Sequence, residues 1–470
     1  MRAGDRTQAE GDLGFNVLVH TLDASCFGLG LGLASFGSVV PLFLHRHTES
    51  ALLLGTLGSI HMLGWHLPQL ATAKRVARLQ RYMPMVMAMT TLERLPFLAL
   101  AALAWTEGAM PGRLSGPAVV AAVLGLVFLI GIGGGLTANP FQAMVARIIP
   151  ARRRTVFYGL KAAAANLLVA VGAEIAGRLL EGSAAPSRFA LCFLLAALAT
   201  AVSWFFLSLT REGPAREPAT ERAALAASVP SLEGATPNPA PAPAPPMVSA
   251  AAISSYHDSD SDPGADHDLD SDPAHPPLPT AGSLLKADSR FRWYLVTRAL
   301  SQLGHMAAGF YTVYAIQRFD AGPLVVARLT AVFALSQTLA NPVMGWAADR
   351  WGFRDPKRLG LAASGLGAVI AMAARSPQLL YLSMALAGVA AVAIFTFPLA
   401  MNVQFGDDRN RTVYIGLSST LTAPAIVGAP ILGGWLADAL GFQPTFALAA
   451  LGAGAAIVAL ERMRRVPGLA

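Results

Sequence analysis

Long apolar runs separated by short polar connections occupy almost the whole chain. Twelve of them approach or exceed the roughly 20 mainly apolar residues a helix needs to cross about 30 Å of hydrocarbon. They run Phe15 to Leu44, Ala51 to Ala73, Met83 to Trp105, Pro117 to Ile149, Val156 to Leu180, Phe189 to Leu209, Phe291 to Gln317, Leu324 to Ala348, Leu359 to Ala374, Gln378 to Val403, Val413 to Ala439 and Phe442 to Leu460. Each predicts a spanning helix, and together they predict an all-α polytopic membrane protein. Glycines recur inside the runs (Gly28, Gly30, Gly32; Gly131, Gly133, Gly134, Gly135). Small residues of this kind let helices approach closely in lipid, where no hydrophobic force drives them together. The first run is too long for the apolar core of a cleaved signal peptide, so it is expected to remain as the first span behind a polar stretch, residues 1–14.

The pattern breaks once, between spans six and seven. Residues 211–290 lack apolar periodicity and contain a Pro/Ala run, Pro237 to Pro246, that favours extended polyproline II. Two copies of an Asp/His heptad follow, His257 to Pro263 and His267 to Pro273. The segment is predicted to be a disordered linker. Its alternating Asp and His side chains offer weak Ca²⁺ or Zn²⁺ ligation, but a flexible chain fixes no ligand geometry, and an acidic solvated tether is the simpler reading.

Composition agrees with a membrane protein: of 470 residues, 54% are hydrophobic and 13% charged, about half the charge of an ordinary soluble chain. The two cysteines, Cys26 and Cys192, both lie in apolar runs, which leaves no disulfide framework and no cysteine metal site. Residues 211–290 hold five basic and twelve acidic side chains, a net of −7, so with +7 overall the remainder carries +14. That excess sits in the helix-connecting loops. It reads as topology and anionic-lipid contact, not as nucleic-acid binding.

Lys and Arg near span ends are retained on the cytoplasmic side. They concentrate after spans two (Lys74, Arg75, Arg78, Arg81), four (Arg147, Arg152, Arg153, Arg154), eight (Arg350, Arg354, Lys357, Arg358) and ten (Arg409, Arg411), and in the tail (Arg462, Arg464, Arg465). Both termini are therefore expected to be cytoplasmic.

The two halves repeat. Arg154 to Leu160 (RTVFYGL) matches Arg411 to Leu417 (RTVYIGL), and Gly172 to Gly177 (GAEIAG) matches Gly428 to Gly433 (GAPILG). The repeat predicts two six-helix bundles related by a pseudo-two-fold axis, residues 15–210 and 291–461, joined by the linker and ending in a tail, residues 462–470. In such folds substrate binds near the bilayer midplane, and rocking of the repeats alternates its exposure.

One connection is unusually ordered in its charges. From Gly345 the sequence reads GWAADRWGFRDPKR, carrying Asp349, Arg350, Gly352, Arg354 and Arg358 between spans eight and nine. This turn, with the twelve spans and the long central loop, resembles the major facilitator superfamily of secondary transporters over the whole chain except the linker. The resemblance implies that Gly345 permits close helix approach and that Asp349 and Arg350 hold the cytoplasmic side shut in an outward-facing state. The equivalent place after span two has Lys74 and Arg75 but no acidic residue. Span five has Glu174 where drug antiporters of the family carry proline. The resemblance also places spans one, four, seven and ten around the cavity.

A charged side chain at the bilayer centre costs about 2.5 to 3.5 kcal/mol even on the lenient scale, so intramembrane charges mark function. The candidates are Asp23, Glu93, Arg94, Arg298 and His305, with amides Asn139, Gln142 and Asn402 as polar contacts for substrate. Asp23 and Arg298 occupy corresponding depths in the first helix of each half and are expected to pair, either as a proton-sensitive latch or as a fixed bridge between bundles. Glu93 and Arg94 are neighbours and diverge by about 100° on a helix, so each needs another partner. Glu93 serves either as a proton or cation site or as a structural bridge. Glu174 and Arg178 have the i,i+4 spacing of a structural pair, His305 either binds substrate or hydrogen-bonds a helix backbone, and Lys161 is expected to snorkel to the interface.

No phosphate-cradling Gly-x-x-x-x-Gly-Lys loop is present, so an ATP-driven pump is excluded, and the dispersed charges do not form an enzyme's cluster. The expected function is proton-coupled secondary transport of a small organic solute across the cytoplasmic membrane by a monomer without metal or cofactor, with efflux the favoured direction. The alternatives are a non-transporting receptor or scaffold on the same fold and, less favoured, a membrane-embedded enzyme.

Overall fold

A computed structural model of the chain describes residues 3–69, 72, 75–76, 79–212, 281–402, 405 and 411–464. The Pro/Ala run and the Asp/His repeat of the linker lie outside them. Every regular element described is a helix. In order these are α1 (Ala3–Leu33), α2 (Val39–His45), α3 (Ala51–Gly55), α4 (Leu57–His66), α5 (Met83–Ala109), α6 (Gly116–Ile148), α7 (Ala151–Leu180) and α8 (Pro186–Ser208). Then come α9 (Ala281–Ala287), α10 (Ser289–His305), α11 (Ala308–Phe319), α12 (Pro323–Trp351), α13 (Arg354–Ala373), α14 (Leu379–Ala391), α15 (Phe397–Asn402), α16 (Arg411–Leu440) and α17 (Phe442–Arg464).

Among the described residues nine helical stretches are long and apolar enough to cross a membrane. Local chemistry explains why three of the twelve predicted spans fall outside that set. Span two is divided at Thr56, whose hydroxyl donates to the Leu52 carbonyl at 2.6 Å, a back-bond that disturbs helices. Span seven is divided at Met306 and Ala307 into α10 and α11. Span nine is the single helix α13, but it opens with Arg354, Asp355, Lys357 and Arg358. Span one also ends early: Ser35 Oγ accepts from the Gly37 N–H at 3.1 Å, turning the chain between α1 and α2. Helix α1 begins at Ala3, inside the polar stretch that precedes the first apolar run.

The expected linker boundaries shift at both ends. Arg211 is tied to α1, donating to Asp12 at 2.7 Å and exchanging hydrogen bonds with Asn16. Glu212 accepts from the Tyr82 and Met83 N–H groups at 2.7 and 3.0 Å, where a carboxylate satisfies orphan donors and the helix dipole together. On the other side, residues 281–290 form α9 and the start of α10, whose N-cap Asp288 accepts from Phe291 N–H at 2.9 Å.

Helices α1 and α4 to α8 pack together, as do α10 and α12 to α17. Close approach of α1 and α7 needs glycine. A Cβ on Gly28 or Gly32 would overlap the carbonyls of Ala165 and Val169, and one on Gly172 would overlap that of Leu29. The two groups meet through α7 against α12, and through α3 and α4 against α16.

Loops bearing Arg81, Arg147 and Arg350 define a basic end; the opposite end carries the α2–α3, α7–α8 and α11–α12 connections. Every hydrogen bond and ion pair joining the groups, among the described residues, lies at that opposite end. Glu174 of α7 binds Arg328 of α12 through two contacts of 3.0 Å while also pairing with Arg178 at 2.9 Å. Asp438 of α16 accepts from Ser50 Oγ at 2.6 Å and from the Ala51 N–H at 2.5 Å, capping α3. Gln317 donates to the Glu49 carbonyl at 2.6 Å, and Ser35 and Thr330 hydroxyls stand 3.4 Å apart. Among the described residues the molecule is therefore closed at the far end and unlatched at the basic end.

Removing both carboxylates, in Glu174→Ala/Asp438→Ala, is expected to open the far end. In detergent, a maleimide should label Ser35→Cys, whose position is buried, several-fold faster in that background; an unchanged labelling rate refutes the latch.

Candidate functional site

The intramembrane charges collect in two places, one in each helix group. The first lies among α1, α5, α7 and α8. Arg94 stands eleven residues from the start of α5, about 16 Å along the helix and so near the middle of a 30 Å core. It does not turn to lipid. Its Nε donates to the Thr200 carbonyl at 3.1 Å, Nη1 to Thr90 O at 3.2 Å, and Nη2 to Ser203 Oγ at 2.9 Å and Asp23 Oδ1 at 3.3 Å. Ser203 Oγ in turn donates to Asp23 Oδ1 at 2.7 Å. The second Asp23 oxygen faces Lys161 Nζ at 3.6 Å. One carboxylate thus gathers a serine and two cations from three other helices, and is itself 5% exposed.

Glu93 completes the set. Its side chain is pressed against Gly133 and Gly134 of α6, where any Cβ would collide with it, and its Oε2 lies 3.5 Å from Arg94 Nη1. Two carboxylates and two cations therefore share one buried volume, and their formal charges cancel. Aromatic faces close it: Arg94 lies 5.1 Å from the Phe27 centroid and Lys161 4.0 Å from that of Phe141, contacts that gain strength when desolvated. His20 is adjacent, edge-on to Phe141 and Phe157.

This arrangement corrects two expectations. Asp23 does not pair with Arg298, because its side chain turns into its own bundle, where Arg94, Ser203 and Lys161 are supplied at hydrogen-bonding or ion-pair distance. Lys161 does not snorkel to the interface, since Asp23 and the Phe141 face hold it inside. Glu93 and Arg94 do touch, but the main partners of Arg94 are elsewhere.

The second cluster lies among α10, α13, α15 and α16. Arg298 Nη1 donates to Ser418 Oγ at 2.5 Å; Ser418 donates to Asn402 Oδ1 at 2.9 Å, which also accepts from Tyr294 OH at 2.6 Å. Behind Tyr294 sits Lys357, 1% exposed, its Nζ 5.1 Å from the ring centroid and 3.6 Å from Met401 Sδ. Lys357 escaped sequence reasoning because it is embedded in a run of surface charges, and only the helical register of α13 turns it inward.

The remaining candidates separate. Asn139 donates to the Gln69 carbonyl at 2.7 Å and Thr72 Oγ1 at 2.9 Å, so it fastens α6 to the end of the second span and is not free to meet a substrate. Gln142 is exposed on α6. His305 stacks edge-on to Phe395 at 5.3 Å, within a π-type turn over Val392–Thr396. Asp349 and Arg350 are exposed and, among the described residues, make no hydrogen bond or ion pair; Arg354 and Arg358 bind Glu461. Nothing approaches within 4 Å of a Cβ placed on Gly345, so the close helix contact expected there is absent. Gly352, at φ +80°, supplies the left-handed turn between α12 and α13.

The profile described as Major Facilitator Superfamily matches residues 294–469. The fold is shared with a D-xylose-proton symporter (TM-score 0.63, 16% identity, 96% of each chain) and with a bacterial homologue of the iron transporter ferroportin in an inward-facing state (TM-score 0.61, 13% identity, 97% of this chain and 99% of that one). Two curated Bacillus subtilis (strain 168) proteins match in part. Multidrug resistance protein 1 is 25% identical over 139 residues, 30% of this chain and 36% of that protein. Methylenomycin A resistance protein is 30% identical over 126 residues, 26% and 27% respectively. The matched segments thus span 36% and 27% of these relatives' lengths. The apolar helices make the chain an integral membrane protein.

The balance of the first cluster has a measurable consequence. Removing one partner of a buried ion pair costs about 3 to 5 kcal/mol, because the other charge is stranded. Asp23→Ala should therefore lower the thermal unfolding temperature in detergent, and adding Lys161→Met should restore part of the loss. Additive destabilisation in the double variant contradicts the pairing.

Proposed function

We propose that the protein is a secondary active transporter of a small organic solute, working by alternating access. The observation that carries this reading is the asymmetry of the contacts between bundles: bonds at the far end, none at the basic end among the described residues. That is one of the two states a rocking mechanism requires. By the retention of Lys and Arg on the cytoplasmic side, the basic end is cytoplasmic and the state is inward-facing. The exposed Asp349 and Arg350 then belong to a gate that engages only when the basic end closes. The bundles are residues 15–210 and 291–461, moving against each other as a monomer.

Coupling to protons is assigned to the Asp23 cluster. Protonating Asp23 removes the negative charge facing Arg94 and Lys161 and leaves two cations close together in a low-dielectric core. They separate or take another partner, and since they sit on α5 and α7 the helices move with them. Because α7 also carries Glu174, the far-end latch to α12 is mechanically connected to the proton site. Efflux is the favoured direction, supported by the resistance functions of the two curated relatives named above.

In proteoliposomes, solute flux should follow an imposed pH gradient. Asp23→Asn is expected to abolish gradient-driven accumulation while leaving solute exchange at equilibrium. Absence of any vectorial flux overturns the transporter reading, and full gradient drive in the variant removes Asp23 from coupling.

A further inference from the structure

The two charge clusters differ in one respect. In the first, Asp23 and Glu93 balance Arg94 and Lys161. In the second, Arg298 and Lys357 have no carboxylate: among the described residues neither forms an ion pair. The described acidic groups of that half are committed elsewhere or exposed. Glu461 holds Arg354 and Arg358, Asp355 holds Arg358, and Asp288 caps α10 and accepts from Tyr414 OH. Lys357 meets only a thioether and an aromatic face. The Nε of Arg298 is buried without a partner, although its Nη1 is bonded to Ser418. Two uncompensated cations within one helix bundle are costly, and the missing element is negative charge.

Arg298 is only half-buried, and its Nε is unpartnered. We propose that the Arg298 edge of this cluster binds the anionic group of the transported solute, with Lys357 reinforcing the positive field from behind Tyr294, so that the substrate class is small organic carboxylates. The inference rests on the transporter reading but concerns binding alone. Arg298 offers the planar donor pattern suited to a carboxylate. Tyr294, Asn402 and Ser418 hold the guanidinium in place, and Lys357 acts as a positioning charge without touching the ligand.

The test is thermal-shift and equilibrium binding on the purified full chain in neutral detergent. Its probes are monocarboxylates from acetate to naphthoate, each beside its uncharged amide, with dioctanoyl phosphatidylglycerol as the lipid arm. At least one carboxylate should bind about tenfold or more tightly than its amide, the size of one charge-assisted pair. Arg298→Gln should erase that preference and Arg298→Lys keep part of it. Lys357→Met should reduce the preference several-fold while raising the unfolding temperature of the ligand-free protein, a combination that a purely structural lysine does not give. Equal binding of acids and amides, an unchanged preference in Arg298→Gln, or stabilisation by the lipid alone would overturn the proposal. Transport of a neutral solute with no carboxylate preference would sink this inference while leaving the transporter reading intact.

Discussion

Compensation of charge inside a low-dielectric helix bundle is the constraint on which the structure turns. An ionised side chain near the bilayer centre must find opposite charge and hydrogen bonds or it destabilises the fold. Asp23 satisfies this for four helices at once, accepting from Ser203 and facing Arg94 and Lys161. The orientation of α1, α5, α7 and α8 is therefore specified by polar contacts as well as by the glycine-mediated approach of α1 to α7. Lipid-facing leucines and valines do not discriminate between registers in this way, because lipid is as apolar as they are.

One helix joins the charge cluster to the contact between bundles: α7 presents Lys161 to Asp23 and Glu174 to Arg328. The far end is held at two edges, α7 against α12 and α16 against α3, by carboxylates that meet a guanidinium in one case and a helix N-terminus in the other. Both contacts are open to solvent, where such bonds are individually weak.

The second half of the molecule is built differently. It retains the overall helical repeat but not the charge balance, with Arg298 and Lys357 both close to the Tyr294 ring. Both halves contain interrupted spans; in this one α10 gives way to α11 near His305, and a π-type turn brings Phe395 against the same histidine. Interruptions of this kind free backbone groups within a bundle. What separates the bundles is charge: among the described residues one carries a balanced ionic core and the other a cationic one.

The sequence by itself determined that the chain is helical and membrane-embedded and that it repeats, because hydrocarbon thickness sets the length of each apolar run and because RTVFYGL and RTVYIGL can be compared directly. It also identified the Glu174–Arg178 pair, a neighbour relation set by helix geometry alone. Which side chains face each other across helices was not available from it. Asp23 and Arg298 looked matched by depth, but depth says nothing of rotation about the helix axis, and rotation sends one to Arg94 and the other to Ser418. Lys357 looked like a surface charge, and Asn139 like a free amide, for the same reason. Tertiary packing decided these partners, since a helix presents a new face every residue and only its neighbours reveal which face is buried.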